Sequence, residues 1–117
     1  MINGAHAILY SNDPDATRAV LAKVLGTRSV DAGGGWLIFA LPPAEIAVHP
    51  AEQGGRAELY LMTDDVAATV ATLQADGIEV ARPISDQGWG LLTAITLPGG
   101  VELGLYQPQH PTATQPS

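Results

Sequence analysis

The chain has 117 residues, 46% of them hydrophobic, so its length and composition predict one domain with a packed core. Acidic residues outnumber basic ones by 12 to 5, and the net charge of −7 argues against a nucleic-acid partner, because phosphates need a basic surface. The apolar runs are short, no signal peptide is recognisable and cysteine is absent, so we expect a cytoplasmic protein without a membrane span or a disulfide.

The first half of the chain predicts one helix and four strands. Residues 4–10 are predicted to form the first strand, because a short apolar run is bounded by glycine and by polar residues. Asp13 caps the following helix, Pro14 takes its first position and Gly26 ends it. Three more strands follow, at 27–31, 36–41 and 44–49.

The second half repeats this order after a polar loop at 50–56. The stretch 5–17 recurs 52 residues later as 57–69, with a short apolar run and then an acidic helix start. Asp65 caps the second helix and Gly77 closes it. The predicted strands of this half are 57–62, 78–81, 90–97 and 101–106.

Each half is therefore a β-α-β-β-β module, at about residues 3–50 and 57–108. One module cannot bury its sheet face alone and will pack against its copy. We predict an α+β fold in which the modules form a pseudo-twofold, open barrel-like mixed sheet with helices outside and a concave cleft inside. The single domain covers residues 1–108, and residues 109–117 are predicted to be a disordered tail.

Paired modules of this kind resemble the vicinal oxygen chelate superfamily, which includes glyoxalase I, extradiol dioxygenases and the bleomycin resistance proteins. Three motifs support the resemblance: Ser-Asn-Asp-Pro-Asp-Ala-Thr after the first strand, Leu-Met-Thr-Asp-Asp-Val after the fifth, and Leu-Pro-Gly-Gly-Val-Glu-Leu near the end. They are specific for the fold and weak for the reaction, since one scaffold hosts many chemistries.

The resemblance implies a divalent metal ion (Mn, Fe(II), Ni, Zn or Mg) in the cleft. Carried over one position at a time, its ligands are His6 and Glu58 on the first strands, and Glu45 and Glu102 on the last strands. The glyoxalase I pattern is His, Glu, His, Glu, so this chain departs from it at Glu58. A carboxylate in an otherwise apolar strand needs a partner, which favours the site. The alternatives stay open: a structural histidine, and glutamates solvated at strand starts.

His49 is a further candidate, because it lies four residues after Glu45 and shares that strand's face. Its mate in the second module is approximately Tyr106, and both are predicted to contact substrate at the cleft mouth. The other predicted substrate contacts are aromatic: Trp36, Tyr60 and Trp89. Core packing, or a strand-end histidine beside Pro50, is the alternative.

Two functions fit this sequence. The first is a metal-dependent lyase, isomerase or dioxygenase that binds vicinal oxygens of a small substrate, with Glu45 or Glu102 as general base. The second is a metal-free protein that sequesters an antibiotic or similar ligand, as the bleomycin resistance proteins do. Glu58 favours the second function and the three retained ligands favour the first, to which the sequence leans slightly. A homodimer is expected in either case.

Overall fold

The computed structural model of the chain describes residues 6–45, 47, 50, 52–55, 57–111 and 113. Its elements, in chain order, are α1 (Pro14–Leu25), β1 (Ser29–Asp31), β2 (Leu37–Phe39), β3 (Tyr60–Met62), α2 (Val66–Ala75), β4 (Glu79–Val80), β5 (Ser85–Asp86), β6 (Gly90–Leu97) and β7 (Val101–Pro108). Helices and mixed sheets in one chain confirm the predicted α+β class. No helix within the described residues has the length and apolar character needed to cross a membrane.

Among the described residues, the larger sheet has five strands, four of them in the order β3-β7-β6-β4, with β5 paired to β6. Strand β3 runs parallel to β7, and the other pairings are antiparallel. Strands β6 and β7 pair over their full length and are joined by a tight turn at 98–100. Strands β1 and β2 form a separate two-stranded antiparallel sheet.

Alternation of side chains places the core on one face of the larger sheet. Along β7, Val101, Leu103 and Leu105 are buried, and Ile95 and Leu97 of β6 lie in the same cluster. Helix α2 covers this face with its own buried apolar residues, while α1 packs partly buried side chains against the same cluster. Removal of this apolar surface from water is the main stabilising contribution to the fold.

The internal repeat is visible in the helix caps. The Asp13 carboxylate accepts a hydrogen bond from the Ala16 backbone N–H at 3.3 Å, and 52 residues later Asp65 accepts one from Ala68 at 3.1 Å. Each carboxylate satisfies a backbone donor that has no partner within its helix. The predicted caps are therefore confirmed at both helices.

A pair of hydroxyl groups follows the same repeat. Ser11 and Thr17 are hydrogen-bonded at 2.6 Å, and Thr63 and Thr69 at 2.7 Å. Thr17 is also buried, and its hydroxyl lies 2.6 Å from the carbonyl oxygen of Pro98, in the turn between β6 and β7. This contact ties the helix of the first module to the sheet of the second.

Two predicted strands of the first module differ from the described structure. Residues 6–10 lie in no strand, and Ile8 and Tyr10 are 64% and 87% exposed. Residues 44, 45 and 47 also lie outside any strand, and positions 46, 48 and 49 are outside the described residues. A strand needs a hydrogen-bonded neighbour, which sequence pattern alone does not supply.

We expect Thr17→Val to destabilise the protein by about 1–3 kcal/mol, because it keeps the side-chain shape but removes the buried hydroxyl partner of Pro98. Urea unfolding followed by circular dichroism measures the change. The matched control is Thr72→Val, whose exposed hydroxyl only bonds the carbonyl of Ala68 on its own helix. An equal decrease in the free energy of unfolding in the two variants would show that the hydrogen bond between Thr17 and Pro98 has no special role in stability.

Candidate functional site

The face of the larger sheet opposite the core holds the candidate site. Glu102, Gly104 and Tyr106 alternate with the buried residues of β7 and therefore lie on this face. Tyr60 of β3 pairs with Gly104, and Met62 pairs with Tyr106. On the other side of β7, Leu92 of β6 also pairs with Tyr106.

Three aromatic rings meet on this face around Tyr106. The ring of Tyr60 lies 5.9 Å from that of Tyr106 at an interplanar angle of 81°. Trp89 approaches from the other side at 5.6 Å and 73°. Both contacts are edge-to-face, the geometry that aromatic quadrupoles favour. We call Tyr60, Trp89 and Tyr106 the aromatic cluster.

Two glycines make room for these rings. A Cβ atom at Gly104 would overlap the ring of Tyr60, and one at Gly90 would lie 2.9 Å from Cδ2 of Tyr106. Neither glycine has a positive φ, so their role here is space and not backbone conformation. The absence of two side chains therefore lets both tyrosine rings lie close against the sheet.

The hydroxyl of Tyr106 lies in a polar environment at the edge of the cluster. It is hydrogen-bonded to Nε2 of His110 at 3.1 Å. Burial raises the pKa of the Tyr106 phenol, and the negative charge of Glu45 raises it further. The phenol therefore keeps its proton at physiological pH and remains both a donor and an acceptor.

The carboxylates predicted as metal ligands are held by other groups. Glu102 forms an ion pair with Arg82 at 2.6 Å, and both side chains are about half exposed. Glu58 accepts a hydrogen bond from the hydroxyl of Tyr60, and Glu45 accepts one from the backbone N–H of Ala113 at 3.2 Å. Each of these contacts engages an oxygen that could otherwise bind a cation.

His6 is exposed, in the segment that forms no strand. Within the part of the chain that is described, no three His, Asp or Glu side chains lie close enough together to hold a metal ion. In the described residues, the four predicted ligands are not gathered around one point. The assignment of His6, Glu45, Glu58 and Glu102 as ligands, and of Glu45 or Glu102 as base, stays a prediction.

Tyr60, Trp89 and Tyr106, predicted to contact substrate, are brought together by the sheet. Trp36 has a different environment: it is 64% exposed, and the guanidinium of Arg18 on α1 lies 5.3 Å from its ring centre. His49 lies outside the described residues. Of the aromatic residues predicted to contact substrate, the structure therefore brings together those of the second module.

Sequence reasoning missed His110, Gly90 and Gly104. Gly104 could have been found, since it falls between Glu102 and Tyr106 in the alternation of β7. His110 could not, because the chain around it is rich in proline and has no periodicity. Its position next to Tyr106 depends on backbone contacts that no pattern in the sequence predicts.

Comparison with known proteins gives one family and several structures of the same fold. The model of the Glyoxalase/Bleomycin resistance protein/Dioxygenase superfamily matches residues 4–105. The chain is similar to a lactoylglutathione lyase from Agrobacterium tumefaciens, at 18% identity and a TM-score of 0.64, with 90% of this chain and 92% of that chain covered. At 17% identity it is also similar to TioX from Micromonospora sp. ML1, with a TM-score of 0.54 and 95% and 100% covered.

A third similar structure has higher identity. TnmS3, an antibiotic binding protein from Streptomyces sp. CB03234, is 26% identical, with a TM-score of 0.59, and the match covers 90% of this chain and all of that chain (100%). The comparison with curated proteins gave no match. The neighbours thus include a lyase and an antibiotic-binding protein on one fold.

Proposed function

Because the chain belongs to the Glyoxalase/Bleomycin resistance protein/Dioxygenase superfamily, we propose that it binds and sequesters a flat, positively charged aromatic molecule. The observation that carries the proposal is the aromatic cluster, which the sheet assembles on the face opposite the core. TnmS3, the neighbour described as an antibiotic binding protein, supports the same kind of function. The proposed binding surface is the cluster itself.

Stacking and charge both favour such a ligand. Aromatic pairs contribute about 0.5–1.5 kcal/mol beyond the apolar area that they bury, and a cation over a ring adds a further attraction. Glu58 contacts Tyr60, and the charge of Glu45 acts on Tyr106, so negative charge borders the cluster. The net charge of −7 attracts a cation from a distance as well.

We expect the 3,6-diaminoacridinium cation, a flat fluorescent probe, to bind once per chain in a fluorescence titration. Tyr106→Ala should weaken binding by roughly tenfold, because it removes the ring at the centre of the cluster. The control is Ile84→Ala, an exposed apolar residue that lines a groove together with Val70 of α2, the helix on the core side of the sheet. A flat anionic naphthalene sulfonate should bind far more weakly than the cation.

A second pair of variants tests the geometry of the cluster without deleting a ring. Gly104→Ala should weaken the same binding because its Cβ displaces the Tyr60 ring, whereas Gly54→Ala adds a methyl group in open space. Equal affinities of the cation and the anion, or equal effects of the site and control variants, would overturn the proposal.

The second candidate function is the metal-dependent enzyme of lyase, isomerase or dioxygenase type. One observation favours it: Tyr60 pairs with Gly104 in parallel register, and an extension of that register by two residues would bring Glu58 beside Glu102. The pairing of Glu102 with Arg82 opposes it, since an ion pair of this kind leaves less negative charge for a cation.

Calorimetric titration of Mn, Fe(II), Ni and Zn into the metal-stripped protein separates the two functions. We expect no tight site, because the carboxylates are held by Arg82, Tyr60 and Ala113. One tight site per chain, lost in both His6→Ala and Glu102→Ala, would replace the sequestering proposal with the enzyme.

A homodimer is part of the proposal. Apolar side chains of the first module are exposed: Ile8, Tyr10, Val30 and Trp36. Within the part of the chain that is described, residues 6–10 also lack the parallel pairing that β3, their counterpart, has with β7. A second copy offers the same segment and the same apolar surface, so a symmetric interface would cover both.

Sedimentation velocity measures this association. We expect a dimer for the wild type and a monomer for Ile8→Asp, because an unpaired buried charge is costly at an interface. Ile84→Asp, at an exposed apolar residue of the second module, is the control and should stay dimeric. A monomeric wild type would disprove this part of the proposal.

A further inference from the structure

His110 connects the aromatic cluster to the chain that follows β7. Its Nε2 atom lies 3.1 Å from the hydroxyl oxygen of Tyr106, and its Nδ1 atom lies 2.7 Å from the carbonyl oxygen of Pro111. The imidazole ring is 6.1 Å from the Tyr106 ring and inclined to it by 32°. The three groups therefore form a continuous line: carbonyl, imidazole, phenol.

Two glutamines that precede His110 help to hold this line in place. The N–H of Gln109 donates to the carbonyl of Trp89 at 2.9 Å, which joins the segment to the aromatic cluster. The side chain of Gln107 accepts from the backbone N–H of Val66 at 3.0 Å, at the start of α2. His110 is thus positioned by the hydrogen bonds of Gln107 and Gln109 as well as by its own bonds to Tyr106 and Pro111.

The partners determine which imidazole nitrogen carries the proton. A carbonyl oxygen can only accept, so the contact with Pro111 requires a proton on Nδ1 of His110. In a neutral imidazole, Nε2 is then an acceptor, and the Tyr106 hydroxyl must donate to it. The phenol proton points toward His110, and the phenol oxygen offers only lone pairs to a ligand.

We propose that His110 sets the hydrogen-bond polarity of Tyr106 in the ligand site. The Tyr106 hydroxyl accepts a hydrogen bond from the ligand when His110 is neutral and donates one to the ligand when His110 is protonated. This inference rests on the proposed ligand-binding function of the aromatic cluster. His110 is a positioning residue: it acts on the ligand through Tyr106.

Protonation reverses the bond between His110 and Tyr106, while Nδ1 of His110 still donates to the Pro111 carbonyl. A proton added to Nε2 makes that nitrogen a donor to the Tyr106 oxygen, and the phenol hydrogen is released toward the ligand. Histidine side chains in general change charge between about pH 5 and 8, which makes pH the variable of the test. The titratable groups around the line are Tyr106 on β7, Glu45, whose charge acts on it, and Glu58, which bonds Tyr60 at its side.

The polarity has a consequence for ligand choice. With neutral His110, a ligand that carries N–H donors gains a hydrogen bond to Tyr106 that an N-alkylated analogue does not. With protonated His110, that advantage falls, because the Tyr106 oxygen already accepts from Nε2 and its hydrogen faces the ligand. Charge alone would affect two ligands of equal charge to the same extent.

The first test needs no ligand. Nitrogen-15 NMR of the imidazole, at about pH 8, distinguishes the two neutral tautomers. We expect His110 in the Nδ1–H form, as the Pro111 carbonyl requires, in both the wild type and Tyr106→Phe. The Nε2–H form in the wild type would overturn the proposal whether or not any probe binds.

The second test compares the 3,6-diaminoacridinium cation with its tetramethylated analogue, which has the same rings and charge but no amino N–H donors. We expect the wild type to prefer the diamino probe by about threefold to tenfold at about pH 8, and to lose most of this preference at about pH 5.5. The quantity measured is the ratio of the two affinities, in which the repulsion between His110 and a cation cancels.

Two variants distinguish positioning from packing. Tyr106→Phe keeps the ring and removes the hydroxyl, so the ratio of the two probe affinities should approach one and should not change with pH. His110→Phe keeps a ring at position 110 but no titratable nitrogen, so any remaining preference should no longer change with pH. A pH-dependent ratio that persists in either variant would overturn the proposal. Absence of binding by both probes, with the Nδ1–H tautomer observed, would refute the proposed ligand class and leave the bond polarity established.

Discussion

The alternation of side chains along β7 is the constraint on which both core and site depend. Val101, Leu103 and Leu105 point into the core, so the residues between them must lie on the opposite face. A shift of one residue in the pairing with β6 would exchange the two sets and expose the core. The same register that buries apolar surface therefore also places Glu102, Gly104 and Tyr106 on the site.

The two modules share their local structure but differ in their sheets. Asp13 and Asp65 cap their helices in the same way, and each is accompanied by a hydroxyl pair. These features depend on residues close in sequence, so both copies form them. The larger sheet, which belongs to the second module, depends on β6 and β7, because these strands bury apolar residues along their length. The site is consequently built on the second module.

Features that depend on residues close in sequence could be predicted, whereas features that depend on distant partners could not. The helix caps, the glycine after α1 and the long hairpin of β6 and β7 are local patterns, and each is present in the structure. The strand predicted at 4–10 needed a distant partner, and residues 6–10 have none in the described chain. Of the predicted substrate contacts, Tyr60, Trp89 and Tyr106 lie together in the structure. The pairing of Glu102 with Arg82 was not predicted, because the two are separated by 20 positions.

The competing functions make different demands on the carboxylates. A metal site needs several of them to converge, and their mutual repulsion must then be balanced by the cation. Here Arg82, the Tyr60 hydroxyl and the Ala113 N–H each bond a different carboxylate. Dispersed in this way, the negative charges border an aromatic surface without competing for one point. That arrangement favours a large organic cation over a divalent ion. A large cation is attracted by the surrounding negative potential and by the faces of aromatic rings, whereas a divalent ion needs several ligands at one point.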